Sequence, residues 1–542
     1  MKTSRVSVSI LVIVVAITLA SEPARILPQS AGPSADAPMV TTTTGQLRGM
    51  ARPGGGAKFL GIPYAEPPIG DLRWREPVAA KPWQGVRSAA SYGAPCTQPV
   101  LGDWNKIVAK FSSEDCLYLN VVTPNWPVKQ LLPVMFWIHG GANVGGTGDG
   151  SLYNDATLAN HGVVTVTINY RLGIFGFFAH PELSRESPHH ASGNYGLMDQ
   201  ILALHWVIDN IAKFGGDPHN ITVFGQSAGS VDTGLLMTSP LAIGLFQKAI
   251  PESGSPFWPV VGPSADVEKY GVGSVAALSL PPGEEGIAAM RKIGAKDLLD
   301  KLGSRASQFP IVGPDVDGWV ITENPTTVFS SGREAKIPML IGTTSREFGE
   351  DLPIDTLLKR INSESGDFAA KVKAVYGLAP DSQGKVNPPV DPLYGTASQQ
   401  WSADVGFHCP ISEEALWHSA TGSATYEYEL DHAIPGQEAQ GAVHSADLPY
   451  VWGYFPKTGN ISGGFGAVDE KLADLMETYW ANFARTGNPN GEGVPVWPDL
   501  KMAQTYMQFT QNGDGVMSTR PLRAAQCEVY RQFIQEKLKA GK

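Results

Sequence analysis

The sequence predicts an α/β fold: a mostly parallel central sheet with helices on both faces and large insertions over the strand ends. Three observations carry that prediction. Val134-Met135-Phe136-Trp137-Ile138, the run Val163 to Ile168, and Ile221 to Phe224 are short, continuous apolar stretches bounded by Gly, Asn or Pro. That is the pattern of strands buried on both faces. Between the last two, Leu197, Ile201, Leu204, Ile208 and Ile211 recur at spacings of three and four, an amphipathic helix that Gly215-Gly216 should stop. Strand, helix, strand in that order builds parallel sheet.

Taken from the N-terminus, Lys2 and Arg5 form a basic start, residues 6 to 20 are mainly apolar, and Thr18-Leu19-Ala20 offers small residues for cleavage. Residues 1–20 therefore read as a signal peptide, with processing as late as about residue 38, and the mature chain is expected to be secreted or periplasmic. An uncleaved anchor is the alternative, but the segment is short of the ~20 apolar residues that a membrane span needs. No stable membrane insertion is expected once it is removed, and residues 39–542 are expected to form a single domain without repeats. Cys96, Cys116, Cys409 and Cys527 are an even set without CxxC spacing. Two disulfides suit an exported chain, with three connectivities open and buried free thiols as the alternative. Met339 to Ile341 and Tyr426 to Leu430 read as further strands. Residues 255 to 335 and 350 to 420 read as irregular insertions. Glu528 to Leu538, with Val529, Phe533 and Leu538 on one side, reads as a closing helix.

Composition removes whole classes of function. Of 542 residues 42% are hydrophobic and 17% charged, with 13 Trp, 16 Tyr and 20 Phe, so the chain has material for a large core. A net charge of −11 and the lack of any Lys/Arg run argue against a nucleic-acid partner. The Gly-rich residues 145 to 150 are followed by no Lys-Ser/Thr, so they are not a phosphate loop. No metal is expected, because HExxH, EF-hand and Cys/His spacings are all missing. Asp315-Val316-Asp317-Gly318 resembles only the start of a calcium loop and reads as a turn.

The chemistry concentrates at Gly225-Gln226-Ser227-Ala228-Gly229, a G-x-S-x-G pentapeptide that follows a predicted strand and opens a helix. The glycines permit a sharp turn that lifts the Ser227 hydroxyl to the strand's carboxyl end, as in an α/β-hydrolase; a helix N-cap serine is the plainer reading. In that fold the acid and then the histidine follow the nucleophile in the chain. His408, His418, His432 and His444 remain. His444 lies in a small-residue loop just beyond strand 426 to 430, whereas His418 on a helical stretch and His408 beside Cys409 look structural. The acid should end a strand, and Glu347 stands five residues after Gly342, where strand 339 to 341 is expected to stop; Glu350 and Asp351 compete. An oxyanion hole wants backbone N–H groups on small residues, and Gly141 and Ala142 after Val134 to Ile138 supply them together with Ala228.

At these residues the chain resembles the type-B carboxylesterase family, which includes cholinesterases and several secreted lipases. The resemblance runs over residues 40 to 535 and rests on FLGIPYAEPPIGDLRW (59 to 74), SEDCLYLNV (113 to 121), NYRLGIFGF (169 to 177), GNYGLMDQILALHWVIDNIAKFGGDP (193 to 218), FGQSAGS (224 to 230) and NFARTGNPN (482 to 490). It implies an α/β-hydrolase fold with large insertions covering the active site. It implies Ser227 as nucleophile, Glu347 as acid, His444 as base, and Gly141, Ala142 and Ala228 as oxyanion donors. It also implies the pairings Cys96 with Cys116 and Cys409 with Cys527. The chain departs from the family in places: Gln226 stands where many members have Glu, Ala142 replaces a third glycine, and Phe348 stands where cholinesterases have glycine. Trp104 is only vaguely like a choline-binding tryptophan, at a different spacing.

The expected activity is that of a serine carboxylesterase acting through an acyl-enzyme on a small-molecule ester, with no cofactor. Phe257 and Trp258 are candidates for the acyl pocket, with core packing as the alternative. Lipase-type action on acylglycerols is a second expectation. A non-catalytic binding member is a third, disfavoured because the serine and the histidine are both present. Nothing in the sequence sets the oligomeric state.

Overall fold

The computed structural model describes residues 37–150, 153, 157–257, 262–307 and 313–539. Pro38–Lys542 forms one compact unit. Residues 1–20, expected to be a signal peptide, lie outside the described residues, as does Trp258.

An eleven-stranded sheet organises the unit. Its strands are β1 (Met50–Ala51), β2 (Ala57–Pro63), β3 (Tyr118–Thr123), β4 (Leu132–Ile138), β5 (Val164–Ile168), β6 (Gly216–Gln226), β7 (Lys248–Glu252), β8 (Met339–Thr344), β9 (Thr425–Leu430), β10 (Met507–Phe509) and β11 (Gly515–Met517). In space the order is β11-β10-β9-β8-β7-β6-β4-β5-β3-β2-β1. The run from β5 through β4 and β6 to β10 is parallel, and the antiparallel pairs lie toward the two edges. After β5 the chain returns across β4 to lay down β6. That reversal leaves a crevice at the carboxyl ends, the usual ligand position in an open α/β sheet.

Strand alternation makes two cores from one sheet. In β4, Val134, Phe136 and Ile138 belong to one cluster and Met135 and Trp137 to the other. Helices α1 (Tyr195–Asn210), α2 (Ala228–Thr238) and α4 (Cys409–Ala420) cover the first through Leu197, Leu204, Leu235 and Ile411. Helix α5 (Ala467–Thr486) covers the second through Leu472, Met476, Trp480 and Phe483. Between α2 and α4, helix α3 (Ser264–Ala277) opens the first insertion. Gly215 ends the turn after α1 in the left-handed conformation, φ 88°, as its place after the apolar stripe predicts.

Three expectations need correction. The eighth strand does not stop at Gly342 but runs to Thr344. Gly342 is there because the Tyr428 ring lies on it, where a Cβ would come within 2.1 Å. The insertions are not irregular. They carry short helices such as Glu284–Arg291, Ala295–Leu302 and Ile354–Ser365, each buried through only two or three side chains, too thin a stripe to stand out in sequence. The closing helix, α6 (Ala524–Lys539), starts earlier and buries Cys527, Val529 and Ile534, with Phe533 and Leu538 only partly covered. Asp317 does form a turn, accepting the backbone N–H groups of Trp319, Val320 and Ile321.

Both disulfides are present, Cys96–Cys116 and Cys409–Cys527, with no free cysteine. The second pins α6 to α4. Among the described residues no helix is long and apolar enough to cross a membrane.

Candidate active site

Four strand ends meet in the crevice. At the end of β6, Ser227 turns sharply with φ 59° and ψ −120°, a conformation costing ~1–3 kcal/mol that its surroundings must hold. Its N–H donates to Glu252 O at 2.8 Å. Gly225 and Gly229 are required by contact: a Cβ on Gly229 would lie 2.0 Å from Ile138 O, and one on Gly225 2.5 Å from Gly229 O. The Ser227 side chain makes no N-cap hydrogen bond to α2, so the plainer reading of this serine fails.

At the end of β4, Gly141 (φ 116°), Ala142 (φ 55°) and Asn143 (φ 58°) reverse the chain beside the serine. A Cβ on Gly141 would lie 2.1 Å from Gly145 O, so only glycine fits. Within the described chain the Gly141 and Ala142 N–H groups make no hydrogen bond, and Ala228 N opens a helix, where its N–H has no intrahelical partner. These three N–H groups thus have no acceptor within the described chain. Behind them His139 is buried and stacked on Tyr170 at 4.4 Å, and burial lowers its pKa to about 4, so the ring stays neutral.

Beyond β8, Arg346 pairs with Val443 in a parallel bridge, which brings Glu347 beside His444. His444 Nδ1 meets Glu347 Oε2 in a close contact, while Glu347 Oε1 accepts Thr343 Oγ1 at 2.6 Å and Thr344 N at 2.9 Å. Burial alone would raise the Glu347 pKa; His444 and these donors outweigh it and hold the group at about 2. Glu350 is instead paired with Arg360 at 2.7 Å, and Asp351 accepts Thr396 Oγ1. The other three histidines spend both ring nitrogens elsewhere: His408 on Asp404 and Thr344 O, His418 on Glu334 and Ile337 O, His432 on Thr510 O and Asp469. Phe257 is buried against Phe329 and Trp417. Trp104 is half exposed, its ring edge against Gly145. His444 lines a cavity of about 610 Å³, together with Glu347, Phe348, Tyr394 and Gln440 among others.

A profile of the Carboxylesterase family matches residues 36–530. The chain belongs to that family. It is similar to a fumonisin B1 esterase of Sphingopyxis macrogoltabida, 36% identical over 505 residues that cover 90% of this chain and 89% of that protein. It is similar to the cocaine esterase of Homo sapiens, 33% identical over 549 residues, covering 95% and 94%. A solved PNB esterase superposes with a TM-score of 0.77 at 32% identity, covering 91% of this chain and 99% of the other. As a member of the carboxylesterase family this protein is a hydrolase of carboxylic esters, on the α/β-hydrolase fold.

Several residues that shape this carboxylesterase site escaped the sequence reading. Asp232 on α2 holds Asn143 and Gln200 at 2.9 and 2.6 Å, and Tyr170 Oη donates to His139 O at 2.8 Å. Asp447 lies buried behind Glu347, its pKa raised to about 6 by burial and by that neighbouring charge. Tyr170 stands in the quoted 169 to 177 stretch, and only that context could have marked it. Asp232 and Asp447 carry no local signal. Among the described residues no group of three or more His, Cys, Asp or Glu side chains is arranged to hold a metal ion.

Proposed function

We propose that this carboxylesterase is an exported serine esterase in which Ser227, His444 and Glu347 act as nucleophile, base and acid. Ser227 Oγ adds to the ester carbonyl carbon while its proton passes to His444 Nε2, and the carbonyl oxygen becomes an alkoxide facing the N–H groups of Gly141, Ala142 and Ala228. Collapse breaks the bond to the alcohol, which leaves with the proton from His444, and the acyl group stays on Ser227. Water repeats the sequence and releases the carboxylate. The observation that carries the reading is the ionised Glu347 on His444 Nδ1, which leaves Nε2 as the ring's basic nitrogen. The two disulfides support export.

The decisive test is Ser227→Ala. Turnover should fall below ~1% of wild type with the fold intact, and a fluorophosphonate should label Ser227 in the parent enzyme. Retained activity or labelling elsewhere sinks the assignment.

A second reading, action on acylglycerols in aggregated form, is favoured by the loop that Cys96–Cys116 closes. It exposes Val100, Leu101, Trp104, Ile107 and Phe111, and Leu101 and Trp104 reach Gly145 in the oxyanion loop. Such a cluster beside a catalytic mouth suits an apolar surface. Comparing a short soluble p-nitrophenyl ester with a long-chain emulsion, for wild type and Ile107→Ser, tests it. Selective loss on the emulsion supports lipase-type action, and equal rates on both substrates remove it.

A further inference from the structure

Gln226 precedes the nucleophile, and its side chain, not the serine's, meets the base. Gln226 Nε2 lies 3.1 Å from His444 Nε2, while among the described residues no hydrogen bond joins Ser227 Oγ to His444. The amide is buried at 3% exposure, and its oxygen packs on Gly140, where a Cβ would come within 3.0 Å of it.

Ring chemistry fixes which end of the amide faces the histidine. Glu347 is ionised and takes the Nδ1 proton, so in the neutral ring Nε2 carries only a lone pair. A lone pair requires a donor, and Gln226 must present its NH₂. That lone pair is the one needed for the serine proton.

We propose that Gln226 is a positioning residue that caps the basic lone pair of His444 in the free enzyme and releases it when Ser227 hands over its proton. The proposal rests on the triad reading above. Once the ring is protonated, Nε2 becomes a donor, and a half-turn of the amide presents its oxygen instead. Glutamine therefore serves both protonation states, whereas a carboxylate would serve only the cation and a thioether neither. The charged groups facing the ring are Glu347 from the β8 loop and Asp447 from the histidine's own segment. Burial and the charge of Asp447 in turn raise the pKa of Glu252 at the end of β7, while Phe348 and Phe407 present apolar faces.

A cap that favours the neutral ring lowers the acidic limb of kcat/KM, the form with a free base being the active one. Gln226→Met, which keeps the length and loses the donor, should raise that limb by roughly 0.5 to 1 pH unit, the equivalent of one hydrogen bond. Gln226→Glu should raise it further, because an anion favours the imidazolium. The pH profiles are measured on one soluble ester, with the rate of fluorophosphonate labelling as a second readout. A Met variant whose limb coincides with wild type or falls below it overturns the cap, as does a Glu variant with no rise. Ser227→Ala, assayed alongside, separates the two levels: if it still turns over, the triad reading fails, and if it is dead while the limbs coincide, only the cap fails.

Discussion

Asn143 donates its side-chain amide to Asp232 at 2.9 Å and so fastens the loop after β4 to the helix that begins at Ala228. Two of the three proposed oxyanion donors sit on that loop and the third on that helix, so this buried contact ties their two segments together. Tyr170 Oη donates to Asn143 Oδ1 at 3.0 Å, and Gln200 donates to the other Asp232 oxygen. Burial, partly offset by those donors, raises the Asp232 pKa to about 7. Asp232→Leu should lower kcat by ~10- to 100-fold with a smaller change in KM, because the loop's N–H groups matter most when charge develops on the carbonyl oxygen. Steady-state kinetics and near-UV circular dichroism check this. A variant that loses its fold, or changes KM alone, would show that the contact is structural only.

Glu347→Gln should reduce kcat by ~10³- to 10⁴-fold with near-normal folding, because a neutral amide can stabilise the wrong tautomer of His444. Glu350→Gln and Asp351→Asn should stay within a few-fold of wild type, since those carboxylates serve Arg360 and Thr396. The three variants assayed side by side decide it, and a severe loss in either control would move the acid's role away from Glu347.

The strands, α1 and the elbow were legible because each is written locally. Val134 to Ile138 is a continuous apolar run, and G-x-S-x-G brings its own turn. Glu347 was ambiguous for a physical reason: its selection over Glu350 depends on the Arg346 to Val443 bridge, a pairing of residues 97 apart that no local pattern encodes. Asp232 and Asp447 were invisible for the same reason, each being a buried acid whose partners come from distant segments. The insertion helices were missed because a stripe such as Leu298 and Leu302 is too short to show a period. Position 226 was legible as a neighbour of the histidine that lacks the family's charge, but the contact of its amide with His444 Nε2 depends on a side-chain orientation that no sequence encodes.

The disulfides should differ in weight. Cys96–Cys116 spans 20 residues and Cys409–Cys527 spans 118, so chain entropy alone assigns about 3 kcal/mol to the first and about 5 kcal/mol to the second. Cys409→Ser with Cys527→Ser should therefore lower Tm more than Cys96→Ser with Cys116→Ser. The second bridge also holds α6 onto α4, which adds in the same direction. Thermal melts of the two double variants are the measurement, and a larger drop for the shorter loop would show that local packing outweighs chain entropy here.

Stability should fall as pH rises from mildly acidic toward neutral. Burial raises four carboxyls packed around α4 and β9: Glu413, Glu427 and Glu429 to about 7 and Glu414 to about 8. Glu414 is the extreme member, its side chain fully buried and its pKa raised chiefly by that burial. In the unfolded chain a glutamate ionises near pH ~4.3. Between that value and the raised folded one, the native state therefore binds more protons than the unfolded state, and stability falls as pH rises. The contribution is fully present below the unfolded value and is lost as pH passes through the folded one. Glu347, held at about 2, works in the opposite sense, but its contribution is lost only as pH falls below about 4. The two windows do not overlap, so stability should be greatest in mildly acidic solution, with Tm falling by several degrees from about pH 5 to about pH 8. Glu414→Gln removes one of the raised groups at nearly constant shape and should flatten that slope, whatever it does to the absolute Tm. Scanning calorimetry of both proteins across the window decides the matter, and parallel slopes would mean that Glu414 is already ionised in the native state.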